Sequence, residues 1–147
     1  MREIKFRGKA IDHGKHHGSM VYGNLSVDES GTWIDCGTEQ ESEWVPVDPA
    51  TVGQFIGFVD RDDRKIYQGD IVAVDCDCDP GYYGTCSHAP NLNIVIWDQT
   101  EASFSFRGIM FRADDMHADY TDMWDVVGNV YENPELLAPK EGADKRE

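Results

Sequence analysis

The sequence predicts an all-β protein, a small barrel-like fold with one or two short helical turns. Three observations lead there: apolar residues alternate with polar ones at a period of two, turn residues recur every eight to twelve positions, and helical periodicity is scarce. Such spacing fits a sandwich or small barrel better than a parallel α/β sheet.

Taken in order, "EIKFRGKAI" places Ile4, Phe6, Gly8 and Ala10 on one face and Glu3, Lys5, Arg7 and Lys9 on the other. It reads as a half-buried strand with a mostly basic outer face. "DHGKHHG" then breaks the strand and puts His13, His16 and His17 in a loop. "MVYGNLSV", the turn residues "DESG" and "TWIDCG" predict a hairpin over residues 20–37. In "WVPVDPATVGQFIGFVD", Asp48 can cap and Pro49 can open a short helical turn, while Gly53 and Gly57 argue against a long helix.

"DRDDR" reads as a turn, and "KIYQGDIVAVD" begins the clearest strand of the chain. "LNIVIW" and "SFSFRGIMF", parted by "DQTEA", predict a second hairpin. "RADDMHADYTDMWD" reads as an irregular acidic crossing or a short helix. "VVGNVY" is a last strand, closed by Asn133-Pro134 before a helical turn at "PELL". One domain over residues 1–137 and a disordered tail over 138–147 are expected.

Composition narrows the function classes. The chain has 147 residues, 40% of them hydrophobic, with 28 acidic against 13 basic residues and a formal net charge of -15. A field of that sign repels phosphate backbones and favours cationic partners. No secretory h-region and no apolar run of membrane-spanning length is present, so a cytoplasmic protein with reduced thiols and no membrane partner is expected.

The segment "DCDCDPGYYGTCSH", residues 75–88, holds three of the four cysteines. If its two arms form a hairpin, Cys78 lies opposite Cys86 and Cys76 opposite His88, all on one face. Three thiolates and an imidazole make a structural zinc set with no open position for substrate. Against it, residues two apart on a strand are separated by about 6.5 Å, whereas zinc sulfurs sit about 2.3 Å from one centre. Three readings stay open: a structural zinc clip, an ordinary loop with reduced thiols, and a Cys78–Cys86 disulfide.

Elsewhere the chemistry is sparse. The three loop histidines offer a poorly preorganised metal site and read as exposed side chains. No phosphate loop, nucleophile elbow or HExxH motif occurs. Asp114, Asp115, Asp119, Asp122 and Asp125 lack calcium-loop spacing and read as a solvated acidic face, one that can imitate nucleic-acid phosphates.

The segments "MREIKFRGKA", "VYGNL", "VDPATVGQFIGFVDRDDRKIYQGDIV" and "VVGNVYENPELL" together resemble the YopX family of phage and prophage proteins. The resemblance implies a small, mostly β protein with no assigned activity and no catalytic residue to carry over. The cysteine segment departs from it. "IYQGDIV" also resembles the strand opening of an SH3-like barrel, which implies an SH3-like portion.

These readings lead to a non-enzymatic accessory protein that binds another macromolecule, a phage or host protein first. The alternative is a regulator that mimics DNA or touches nucleic acid through Lys5, Arg7 and Lys9, a contact the net charge disfavours. A second copy of the chain is a further candidate partner. No cofactor is required beyond the zinc that the cysteine segment leaves open.

Overall fold

The computed structural model describes residues 3–12, 14–75, 91–108 and 116–137. They form ten β-strands, and the helical content among them is limited to 3₁₀ turns. The chain divides into two compact units, residues 1–57 and 58–147.

The first unit contains β1 (Phe6–Lys9), β2 (Met20–Asp28), β3 (Gly31–Asp35), β4 (Trp44–Pro46) and most of β5 (Gly53–Val59). Its hydrogen-bonded order is β4-β3-β2-β1-β5, antiparallel in every pair described. The β2–β3 hairpin and its Asp28–Gly31 turn lie where the sequence puts them. Leu25, Ile34 and Val45 are aligned across β2, β3 and β4. Ile34 and Val45 form a buried core with Ala10, Val21 and Val47, packed against by Phe6, Leu25, Cys36 and Val52.

The turn predicted at Asp48-Pro49 is a 3₁₀ turn over Pro49–Thr51, with the Asp48 carboxylate accepting from the Ala50 N–H at 3.0 Å. Buried Thr51 ties it to β1, because its hydroxyl accepts from the Lys9 N–H at 2.8 Å and donates to the Asp48 carbonyl.

The all-β class holds, but the sheets are open and not closed into a barrel. In the first unit the only approach to closure among the described residues is a single bridge, Ala10 to Val47, where a barrel needs a full ladder. Arg7 is a second departure: it is only 3% exposed. β1 lies between β2 and β5, with Arg7 opposite both Tyr22 and Gly53. Ile4, expected inside, precedes the strand and is exposed.

The second unit holds β6 (Lys65–Tyr67), β7 (Asp70–Val74), β8 (Asn91–Asp98), β9 (Ser103–Gly108) and β10 (Trp124–Asn129). Four of these make an antiparallel sheet in the order β10-β7-β8-β9. Every residue of β7 is buried, as befits a central strand with partners on both sides. Trp124 is fully buried at the start of β10 and meets Phe58 and Phe106 edge-on. The acidic crossing is a 3₁₀ turn over Ala118–Met123, and "PELL" is another.

Two polar clasps pin this unit. Asp60, whose side chain is fully buried, accepts from the backbone N–H groups of Asp62, Arg64 and Val126 and from the Arg64 guanidinium, all within 3.0 Å. Burial pushes its carboxyl up, yet these donors outweigh burial and hold it below the usual range. At the other end of β10, the Asn129 side chain accepts from the Tyr131 and Glu132 N–H groups, and the Asn133 side chain accepts from the Asn129 N–H. Beside this second clasp Gly69 turns the chain at φ +95°, where a Cβ would stand 2.9 Å from the Tyr131 ring. A non-glycine residue is strained there on both counts.

Candidate functional site

Two features of the first unit have functional chemistry. The first starts from the loop between β3 and β4. The Asp35 carboxylate accepts from the N–H groups of Gly37 at 3.0 Å and Glu43 at 2.8 Å, which folds the loop back on itself. Gly37 allows the fold, since a Cβ there would lie 2.2 Å from the Glu41 carbonyl oxygen. The Cys36 N–H then donates to the Glu43 carbonyl at 3.0 Å, so Cys36 and Glu43 face each other at the base of the hairpin.

The third member comes from the histidine loop. Its turn is held by Ser19 N–H to His16 carbonyl (2.8 Å) and Gly18 N–H to Ala10 carbonyl (3.0 Å). His16 Nε2 thereby stands 2.8 Å from Glu43 Oε2 and 3.9 Å from Cys36 Sγ, and the donor atoms of all three lie within 4.8 Å of one another. Lys15 Nζ is 3.4 Å from the same Glu43 oxygen.

The electrostatics follow from these contacts. The His16 hydrogen bond, helped by Lys15, holds the Glu43 carboxyl below its ordinary value. Burial, reinforced by the Glu43 charge, pushes the Cys36 thiol up, which keeps it protonated at neutral pH. An imidazole, a thiol and a carboxylate thus converge at the edge of the core with solvent on one side.

The second feature is the outer face of β2, β3 and β4. Ile34 and Val45 point into the core, so the neighbouring row Asn24, Asp35 and Trp44 points away. Tyr22 and Trp33, two residues along their strands, share that face. Tyr22 and Trp44 are 42% and 46% exposed, and Trp33 is half-buried. Asp28, Glu29, Glu39 and Glu41, all exposed, lie on the turns at the ends of these strands.

The residues singled out in the sequence fare differently. Cys76, Cys78, Cys86, His88, Asp114 and Asp115 lie outside the described residues, as does His13. Asp119 and Asp122 are exposed on their 3₁₀ turn, whereas Asp125 is ion-paired to Arg64 at 3.2 Å and Arg61 at 3.6 Å. Lys5 and Lys9 are half-buried and Arg7 is buried, so the basic strand face is not a solvent-facing triplet. His16, read as an exposed loop residue, is a half-buried partner of Glu43. Cys36 and Glu43 lie 20 and 27 residues from it, and only the register of the β3–β4 hairpin brings the three together.

Fold and surface together define a class: an all-β protein of open antiparallel sheets whose sequence motifs are spent on turns and clasps. The profile of the YopX protein family matches residues 5–138, and the chain belongs to that family. No curated protein matches it. Among solved structures it is similar to protein EF1440 from Enterococcus faecalis, with 21% identity over 94% of this chain and 100% of the other and a TM-score of 0.55. That likeness concerns the fold alone. In this chain the family's segments have structural work: "DRDDRKIYQGD" contains the Asp60 clasp and the Gly69 turn, and "GNVYENP" the Asn129 clasp.

Proposed function

We propose that this chain is a non-enzymatic accessory protein of phage or prophage type that works in the host cytoplasm by binding a protein with a basic surface. The observation that supports it most is the outer face of β2–β3–β4, where Tyr22, Trp33 and Trp44 share one side of a rigid sheet. Exposed aromatics on a fixed backbone cost little conformational entropy on docking, and Trp and Tyr dominate binding hot spots. Acidic turns at the ends of the strands and a net charge of -15 favour a cationic partner and fast, salt-sensitive association.

The test is to identify the proteins retained by the immobilised chain, purify the partner and measure its affinity for variants. Tyr22→Ala with Trp44→Ala should weaken binding by about tenfold or more, and raising salt from about 0.05 to 0.5 M should weaken it further. A partner insensitive to both changes would sink the reading, as would multiple turnover of a substrate. If the partner is a DNA-binding enzyme and DNA competes with this chain for it, the partner class becomes one whose basic groove the acidic surface imitates.

A further inference from the structure

We infer that His16, Cys36 and Glu43 form a binding site for a zinc-class transition-metal ion, with Nε2, Sγ and a carboxylate oxygen as ligands and a fourth, solvent-facing position. The inference is independent of the protein-binding surface proposed above.

Distances support it. Tetrahedral zinc, with bonds of about 2.3 Å to sulfur and about 2.0 Å to nitrogen or oxygen, places sulfur and nitrogen about 3.6 Å apart and nitrogen and oxygen about 3.3 Å apart. The observed separations are 3.9 Å for Cys36 Sγ to His16 Nε2 and 2.8 Å for His16 Nε2 to Glu43 Oε2. A retreat of the carboxylate by about 0.5 Å brings the nitrogen–oxygen separation to the tetrahedral value, and the sulfur and carboxylate oxygen lie within 4.8 Å of each other.

Donor chemistry selects the metal class. A thiolate and an imidazole suit zinc or cobalt and are poor ligands for calcium or magnesium, which require oxygen shells. One thiolate and one carboxylate balance the charge of a divalent ion. The Cys36 S–H proton leaves to solvent as the metal–sulfur bond forms, and the imidazole binds through Nε2 while its hydrogen resides on Nδ1. Lys15, now beside Glu43, has a side chain 73% exposed and can swing into water.

The site is also preorganised and reachable. Cys36 and Glu43 are fixed by the backbone bond between them and by the Asp35 carboxylate, so little entropy is lost on their account. His16 and Glu43 side chains are 25% and 40% exposed, which leaves an entry path. Three protein ligands with one open position differ in kind from the closed four-ligand clip considered for Cys76, Cys78, Cys86 and His88.

Those other cysteines dictate the experiment. In the full-length Cys76→Ser, Cys78→Ser, Cys86→Ser protein, Co²⁺ should give a thiolate charge-transfer band at about one equivalent, and Zn²⁺ should abolish it. Adding Cys36→Ser should remove the band, and His16→Ala or Glu43→Gln should weaken Co²⁺ binding by more than about tenfold. Independently of any variant, Zn²⁺ should slow alkylation of Cys36 by iodoacetamide in the unaltered protein, read by peptide mass mapping. Alkylation of Cys36 at the same rate with and without Zn²⁺ overturns the inference, as does the absence of a cobalt–thiolate band in the protein that keeps Cys36 as its one cysteine.

Discussion

Asp60 and Glu43 are both carboxylates held below their ordinary range, and they are built in opposite ways. Asp60 is enclosed, and three of its four donors are backbone N–H groups that cannot leave without unfolding the turn. Glu43 is 40% exposed and its carboxylate is met by two side chains, His16 and Lys15, both of which can rotate away. The first arrangement is a clasp, in which the charge exists to fix the chain. The second is an exchangeable site, in which the present partners can yield to a ligand. A carboxylate's low proton affinity therefore does not separate structure from function; the origin of its donors does.

The largest break in this comparison is Asp60→Ala. It takes the shared acceptor from N–H groups of the 60–64 turn and of β10 and should lower unfolding free energy by about 3 kcal/mol, measured by urea denaturation at pH 7. Asn129→Ala removes the other clasp, leaves the Tyr131 and Glu132 N–H groups without their acceptor, and should cost about 2 kcal/mol by the same measurement.

Acid sharpens the contrast. The Asp60 carboxyl titrates lower in the folded chain than its unfolded value of about 3.9, so its stabilisation is complete above about pH 5 and fades as pH falls through the folded value. The stability gap between the unaltered protein and Asp60→Asn should hold from pH 7 to about 5 and narrow toward pH 3. A gap independent of pH would mean that the buried carboxylate is not the stabilising species.

The smallest effect is expected at the exchangeable site. His16→Ala should change stability by no more than about 0.5 kcal/mol, because the bond it loses is to a half-exposed carboxylate. A loss approaching that of Asp60→Ala would make the cluster a third clasp and erase the distinction.

How far the sequence revealed this depends on the range of the interaction. Hairpins at residues 20–37 and 91–108 and the cap at Asp48 are local, and period-two alternation with turn residues announces them. β5 is not announced by the sequence: Gly53 and Gly57 argue only against a long helix there, and the strand depends on pairing with β1. Arg7 misled because alternation reports which side of a strand a residue lies on, not whether that side is open to solvent, and Arg7 is buried. The metal-ligating trio was illegible: neither Cys36 nor Glu43 has a local partner of its type, and their meeting with His16 is fixed by tertiary register.

The bridge from Ala10 to Val47 also has a consequence for self-association. The Val47 N–H donates inward to the Thr32 carbonyl of β3, so by strand alternation Pro46 faces the free side of β4, where it has no N–H to offer. Its carbonyl is already taken by the Ile11 N–H at 3.0 Å, and the Asp48 N–H by the Lys9 carbonyl at 2.9 Å. This rim of the sheet thus offers an incoming strand almost no ladder to extend, and it is protected against edge-to-edge polymerisation by the same few atoms that curl the unit around its core.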